Sequence, residues 1–207
     1  MKRAVHSRRA KRPETRELSK EQTRAALIAA AMKLFGRRGL DGPSLDEICA
    51  LAGYTRGAFY VHFRDREDLI VAVMERTRGR MLDIMIASGH DALDLELTVK
   101  FFAEAVAAGA YPPKAGVVRL HHFLDACARS SHIRERHVAL VGDAQARLAS
   151  ATREAQAAGR VRADVGDESV AMLLIAVVMG VEMMLEFGYP FDVRAGAATL
   201  LRLLGAK

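Results

Sequence analysis

Apolar residues recur at helical spacing along most of the chain after Lys20. The first predicted helix carries five of them on one face, at i, i+1, i+4, i+7 and i+8: Leu27, Ile28, Ala31, Leu34 and Phe35. Gly36 and Gly39 are expected to mark its end. No segment shows an alternating strand pattern more clearly than a helical one. The sequence therefore predicts an all-α chain of about nine helices.

Two short helices, joined by a tight turn, are predicted after the first one. Ser44 and Glu47 have the spacing of a capping box, in which each side chain bonds a backbone N–H of the other residue. Gly53 is expected to end this helix, and Thr55 to begin a short third helix, because Asp65 looks like the cap of a fourth. A helix, a tight turn and a second short helix are typical of the helix-turn-helix motif, whose second helix lies in the DNA major groove.

The short third helix, over residues 55–63, divides into two faces. Phe59 and Phe63 are four residues apart and share a face, so we expect them to pack in the core. Arg56 and Tyr60 share a different face. The Arg56 fork suits the O6 and N7 atoms of guanine, and the Tyr60 hydroxyl suits a phosphate oxygen.

Three smaller features complete this predicted reading surface. Gly57 lacks bulk, which would let the backbone approach a groove floor, and Ala58 could contact a thymine methyl group. His62 borders the same face. It has no acid or second histidine at i+3 or i+4, apart from the expected cap, so neither a metal site nor a catalytic site is predicted there. An ordinary half-buried tyrosine and a solvated arginine remain the alternatives for Tyr60 and Arg56.

The remainder of the chain is predicted to be helical up to Gly109, with a hard break at Tyr111-Pro112-Pro113. Further helices are predicted over residues 117–130, over residues 132–159 with its end at Gly159, and over residues 167–187 and 192–204. The most apolar stretch, Val170–Val181, is shorter than the roughly 20 residues that a membrane span needs. Glu182 and Glu186 follow it at helical spacing. We interpret it as a buried helix that meets a second subunit, and expect no membrane association.

Composition and charge narrow the class of function. Of the 207 residues, 51% are hydrophobic, enough for a substantial core. The net charge is +6, but residues 1–80 hold 18 Lys and Arg against 10 Asp and Glu. This excess of positive charge in the N-terminal part of the chain indicates that it binds a polyanion. Cys49 and Cys127 are expected to be buried and reduced, and no signal peptide is recognised, so a cytoplasmic location is predicted.

The segment Leu27–Leu69 resembles the TetR/AcrR family of bacterial transcriptional regulators. The motifs "FGRRG", "SLDEICALAGYT", "GAFYVHF" and "REDL" follow the family pattern in order. Cys49 stands where alanine is usual, and Tyr54 where valine is usual. Residues 1–18 are basic and hold few apolar residues, so they are predicted to be a flexible arm. The resemblance implies a DNA-binding domain over 19–66 and a ligand-binding and dimerisation domain over 67–207.

The resemblance also implies roles for individual residues. Ser44 and Tyr60 would bind phosphates, and His62 and Arg66 would meet the DNA backbone. The residues facing bases or the groove edge would be Thr55, Arg56, Gly57 and Ala58.

For the domain over 67–207, here called the body, the resemblance implies a homodimer formed through roughly residues 167–205 and a ligand pocket among the middle helices. The ligand would be small and partly apolar. The candidate lining residues, for which plain core packing is the alternative, are Phe101, Phe102, Glu104, His121, Phe123, Cys127, Met172 and Met179. His121 and His122 are adjacent, and His132 and His137 are five apart, so both make poor metal pairs.

The function implied is that of a homodimeric repressor, released from a palindromic double-stranded DNA operator by a small molecule. A ligand-independent DNA-binding factor, or an activator of the same fold, is the alternative. A helical enzyme is a remote one, because no acid, base and nucleophile cluster at usable spacing. No catalytic residue, metal or cofactor is predicted.

Overall fold

The computed structural model describes residues 13–87, 94–111 and 118–205, and in these ranges it confirms the all-α prediction. An isolated bridge between Val161 and Gly205 is the only extended pairing seen there. The predicted basic arm, up to residue 12, and the Pro112–Pro113 break lie outside the described residues. The helices are α1 (Pro13–Arg38), α2 (Leu45–Ala52), α3 (Arg56–Tyr60), α4 (Arg66–Ala87), α5 (Leu95–Ala107), α6 (Leu120–Arg129), α7 (Ser131–Ala157), α8 (Asp167–Glu186) and α9 (Val193–Leu204).

Both ends of α1 differ from the sequence-based expectation. The helix begins at Pro13 rather than near Lys20. A proline fits the first turn, because its missing N–H would have no partner there. The predicted arm over 1–18 is therefore too long by six residues. Gly36 lies inside the helix, and the chain reverses only at Gly39, whose φ of 74° is readily adopted by glycine.

The first four helices share a core with α6. The largest cluster of buried residues joins α1, α2, α3 and α4 to Val118 and to the inner face of α6 and α7. From α6 and α7 the cluster receives Phe123, Ala126, Cys127 and Ile133. Both cysteines are free and buried, as predicted. The buried core thus continues across the predicted division at residue 66.

The second half of the body is built around α7 and α8, which pack along each other, and around α5, which packs on α9. A second buried cluster holds these helices together through Leu95, Ala155, Val170, Leu174 and Leu204. Helix ends here follow the sequence closely, since Gly109 and Gly159 both adopt positive φ just after α5 and α7.

Helix α8 is less buried within one chain than its composition predicted. Its mean hydropathy is 2.0, and by length and composition alone it could cross a membrane, yet only 22% of that stretch is buried. The expectation of a buried helix is therefore wrong for a single chain. The helix instead leaves a row of apolar side chains exposed, together with its neighbouring turn and α9: Met172, Leu173, Met184, Phe187, Tyr189 and Leu203.

Candidate nucleic-acid interface and effector cavity

Helix α3 has only five residues and depends on tertiary packing for its position. Phe59 is fully buried and Phe63 nearly so, with ring centroids 5.3 Å apart. Both belong to the large core cluster. The sequence-based prediction that these two rings anchor the helix is confirmed.

The turn before α3 is fixed by local hydrogen bonds. Ser44 Oγ accepts from the Glu47 N–H at 3.2 Å, and the Glu47 carboxylate accepts from the Ser44 N–H at 2.6 Å, which confirms the capping box. Arg38 donates to Glu47 at 2.6 Å, and its hydrogen bond is the main reason that the pKa of Glu47 falls to about 2. Gly53 follows with φ of 77°, and Thr55 Oγ1 accepts from the Ala58 N–H.

The opposite face of α3 is open to solvent. Tyr60 is 53% exposed, and the Arg56 guanidinium lies beside it, with Nε 3.4 Å from Asp46 Oδ1. Hydrogen bonding to Tyr60 and the nearby Asp46 charge raise the pKa of Arg56. A Cβ added at Gly57 would meet only Thr55 Oγ1, at 3.7 Å, so the small residue leaves open space on this side.

His62 lies against α1 rather than on the open face. Partial burial, together with the positive charges of Arg24 and Lys20, lowers its pKa. The Arg24 guanidinium sits 5.3 Å from the centroid of the Phe63 ring. Two basic side chains of α1, Lys20 and Arg24, thus place positive charge near His62, which lies in the turn after α3.

Arg66 is placed differently from the expectation. Its guanidinium donates to the carbonyl oxygen of Leu40 and lies 5.3 Å from the centroid of the Phe35 ring. Burial lowers its pKa. Arg66 thus connects the start of α4 to the end of α1, and the prediction that it faces the DNA backbone is not supported by its contacts.

The predicted DNA-binding domain, residues 19–66, is here called the reading domain. Polar contacts at its C-terminal end also join it to α6 and α7 of the body. Arg129 donates to Asp41 at 2.7 Å, and Ser130 Oγ donates to Glu67 at 2.9 Å. Ser130 alone separates α6 from α7, where its hydroxyl also accepts from the Ile133 N–H. Movement of α6 or α4 would therefore move the reading domain.

Two glutamates of α8 bind the helices that carry the reading domain. Glu182 accepts from Arg78 of α4 at 2.7 Å and from the Tyr111 hydroxyl at 2.6 Å. Burial is the main cause of a raised pKa at Tyr111, and the neighbouring Glu182 raises it further. Arg78 also lies 5.8 Å from the centroid of the Phe123 ring, so its charge is enclosed on several sides.

Glu186 accepts hydrogen bonds from α6, as Glu182 does from α4. It accepts from the backbone N–H of Leu120 at 2.7 Å and from that of His121 at 3.4 Å, and so caps a helix that has no cap of its own. His121 Nδ1 lies 2.6 Å from the same carboxylate. The rings of His121 and His122 lie closer than the expected divergence on a helix, with centroids 4.0 Å apart.

The described part of the body contains cavities of two different sizes between its helices. The smaller, of about 80 Å³, lies between α4, α6, α7 and α8. Its lining consists of Arg78, Leu120, His137, Leu140, Val141, Ala144, Leu148, Ile175, Val178 and Met179. The larger, of about 360 Å³, is almost wholly apolar, lies between α5, α8 and α9, and borders the exposed apolar row through Leu173, Met184 and Leu203.

Only two of the eight predicted pocket residues line either cavity. Met179 lines the smaller and Phe102 the larger. Phe101 and Met172 are each 58% exposed, because helical periodicity does not identify which apolar face meets another helix. The other four lie outside both cavities and make other contacts. Glu104 pairs with Arg194 on the surface, His121 with Glu186, and Phe123 and Cys127 are in the core.

Sequence reasoning missed Arg78, considered His137 only as a metal ligand, and noted Glu182 and Glu186 only for their spacing. Isolated charges within apolar helices were the available signal, but their partners lie about 65 to 104 positions away in sequence. Among the described residues, no three His, Cys, Asp or Glu side chains come together as a metal site.

Comparison with known proteins agrees with this geometry. Residues 27–73 match the family model described as "Bacterial regulatory proteins, tetR family". The chain is 30% identical over 166 residues to the probable regulator ArpR of Pseudomonas putida, an alignment covering 77% of this chain and 78% of ArpR. The chain belongs to the TetR family. The resemblance inferred from the motifs is thereby confirmed, and with it the helix-turn-helix DNA-binding class.

Other TetR-family relatives agree over shorter or more divergent spans. The repressor BepR of Brucella suis biovar 1 is 38% identical over 69 residues, which is 33% of each protein's length. A TetR-family structure from Rhodococcus sp. shares the fold, with a TM-score of 0.74, 17% identity, and coverage of 90% of this chain and all of that one. SmeT in complex with triclosan gives a TM-score of 0.66 at 26% identity, covering 89% and 92%.

Proposed function

We propose that this TetR-family regulator is a homodimeric repressor that binds a near-palindromic operator and leaves it when a small molecule enters the body. The observation that carries the proposal is the open face of α3, presented by two buried phenylalanines. Work on DNA would place the protein in the cytoplasm.

The DNA contacts follow from exposure and chemistry. Arg56 and Tyr60 are exposed side by side, and Gly57 offers no side chain between them and a groove floor. We assign Arg56 to a base edge, with Ala58 and Gly57 against the groove and Thr55 at its margin. Tyr60, Ser44 and His62 are assigned to phosphates, because Tyr60 and Ser44 are exposed and His62 is half-buried in the turn that follows α3. The role of Arg66 is assigned to packing instead.

Dimerisation is proposed through α8 and α9, as the sequence also suggested. The exposed row of apolar side chains runs along these two helices and the turn between them. Leu173, Met184 and Leu203 of this row also line one cavity, and exposed apolar surface of this kind marks a protein interface. Twofold symmetry would then place two α3 helices about 34–36 Å apart, as successive major grooves require.

Release by a ligand is supported by the smaller cavity, which α4 itself lines through Arg78. A molecule that prefers a wider cavity would shift α4 relative to α8, and α4 carries the reading domain. The likeness to SmeT, a relative solved with triclosan, fits a small apolar effector.

The experiment begins by selecting bound sequences from random double-stranded DNA with the full chain. Arg56→Ala is then compared with the wild type in competition assays, and Lys100→Ala, which removes a positive charge from α5, is the control. We expect Arg56→Ala to lose roughly 10- to 100-fold in affinity and to lose discrimination at one base pair. Lys100→Ala should retain both. Operator preference unchanged by Arg56→Ala would refute the assigned role.

A further inference from the structure

Two polar atoms in the smaller cavity's lining have no hydrogen-bond partner among the described residues. They are Nε of Arg78, on α4, and Nδ1 of His137, on α7, and both are buried. A buried polar atom without a partner costs free energy, so such atoms in a native protein need an explanation. Here both residues line the same cavity, which suggests that one bound group serves both atoms.

The charges around the cavity indicate what that group is. Arg78 is already paired with Glu182 at 2.7 Å, and Glu186 lies one helical turn further along α8. His137 is kept neutral, because burial and the Arg78 charge lower its pKa. A carboxylate entering the cavity would add a negative charge where Arg78, the cationic side chain of the lining, is already paired with Glu182.

A hydroxyl group satisfies both atoms without adding charge. Its oxygen can accept from the Arg78 Nε–H, and its proton can be donated to Nδ1 of His137 in the neutral tautomer that is protonated on Nε2. A carboxylate can only accept, and an ammonium can only donate, so neither matches this pair in the same way.

The rest of the cavity indicates an apolar ring. Apart from Arg78 and His137, every lining side chain is aliphatic or methionine. The volume of about 80 Å³ is smaller than that of the roughly 150 Å³ cavity known to hold benzene. A single ring therefore enters only when the helices around the cavity separate slightly.

We propose that the cavity binds a small neutral phenol, with its hydroxyl between Arg78 Nε and His137 Nδ1 and its ring against Leu140, Ile175 and Met179. The ring widens the space between α4 and α8. As the effector step of the repressor proposed above, this movement of α4 disfavours operator binding.

The test measures binding of phenol, toluene and benzoate to the full-length protein by calorimetry, without DNA. We expect phenol to bind at least tenfold more tightly than toluene, and benzoate more weakly than phenol. His137→Leu should bring phenol and toluene to equal affinity. His132→Leu, on the same helix but outside the cavity lining, is the matched control and should leave the preference unchanged.

Equal affinities of phenol and toluene for the wild type, a preference for benzoate, or an unchanged phenol preference in His137→Leu would each overturn the site. The comparison of three probes with the wild type decides the matter even if a variant fails to fold. Operator binding is then measured with and without phenol. If phenol binds as expected but DNA is not released, the site stands and its regulatory role fails. If no operator is found, the proposed function fails, while the binding test still decides the site.

Discussion

The contact between Arg78 and Glu182 makes a quantitative prediction about how α4 is held to α8. The two side chains are only 18% and 11% exposed, and the Tyr111 hydroxyl donates to the same carboxylate. Replacing one partner of a buried ion pair leaves the other charge uncompensated, which costs about 3–5 kcal/mol. Since some solvent reaches Arg78, we expect Glu182→Leu to cost about 3 kcal/mol. For a chain of this size that corresponds to roughly 6–12 °C in Tm.

The double variant Arg78→Met/Glu182→Leu removes both charges and leaves aliphatic side chains of similar size. It should recover most of the lost stability, because replacing a buried pair by apolar groups is often close to neutral. The assay is urea unfolding followed by circular dichroism, with every variant at one protein concentration so that dimerisation contributes equally. As a control, Glu96→Gln breaks an exposed pair with Lys100 and should have no measurable effect. A Glu182→Leu variant within 0.5 kcal/mol of the wild type, or a double variant less stable than either single one, would show that this reasoning is wrong.

Three further outcomes are expected. Phe59→Leu should lower the free energy of unfolding by about 1–2 kcal/mol. Tyr60→Phe should leave that free energy unchanged and weaken binding to all DNA sequences alike. The reverse pattern in urea unfolding and mobility-shift assays would contradict the two-face description of α3. Thr152→Val should leave the free energy of unfolding unchanged or raise it by up to about 1 kcal/mol, because the buried Thr152 hydroxyl has no partner among the described residues. A loss above about 1 kcal/mol in the same unfolding assay would show that the hydroxyl has a hydrogen-bond partner. Because the folded state lowers the pKa of His137, the unfolded chain binds more protons, and stability should fall as pH decreases from about 7.5 through the unfolded value near 6.5. Denaturation at each pH should show a smaller fall in His137→Leu; an identical slope would refute the contribution.

The reading domain was predictable because its signals are local. The capping box, the left-handed glycine and the i,i+4 pair of phenylalanines all lie within about 20 residues and act through the backbone of their own helices. The boundaries of α5, α7, α8 and α9 were predictable for the same reason, since a glycine with positive φ or an aspartate cap stands at their ends.

The cavity could not be predicted in the same way. Its polar atoms come from α4 and α7, and their partners from α8, so the arrangement depends on how the helices pack rather than on any one periodicity. Helical spacing identified apolar faces correctly, but it could not decide which face meets a neighbour and which meets solvent. Phe101 and Met172 are outward for that reason.

The core shared by α6 and the first four helices has a consequence for engineering chimaeric regulators. A reading domain exchanged at residue 66 would leave Phe123, Ala126 and Cys127 of the recipient against a foreign surface. The Arg129–Asp41 and Ser130–Glu67 contacts would also have to be re-formed between unrelated parents. Exchanges that carry the inner face of α6 along with the reading domain should therefore respond to the effector more often than exchanges made at the domain boundary alone.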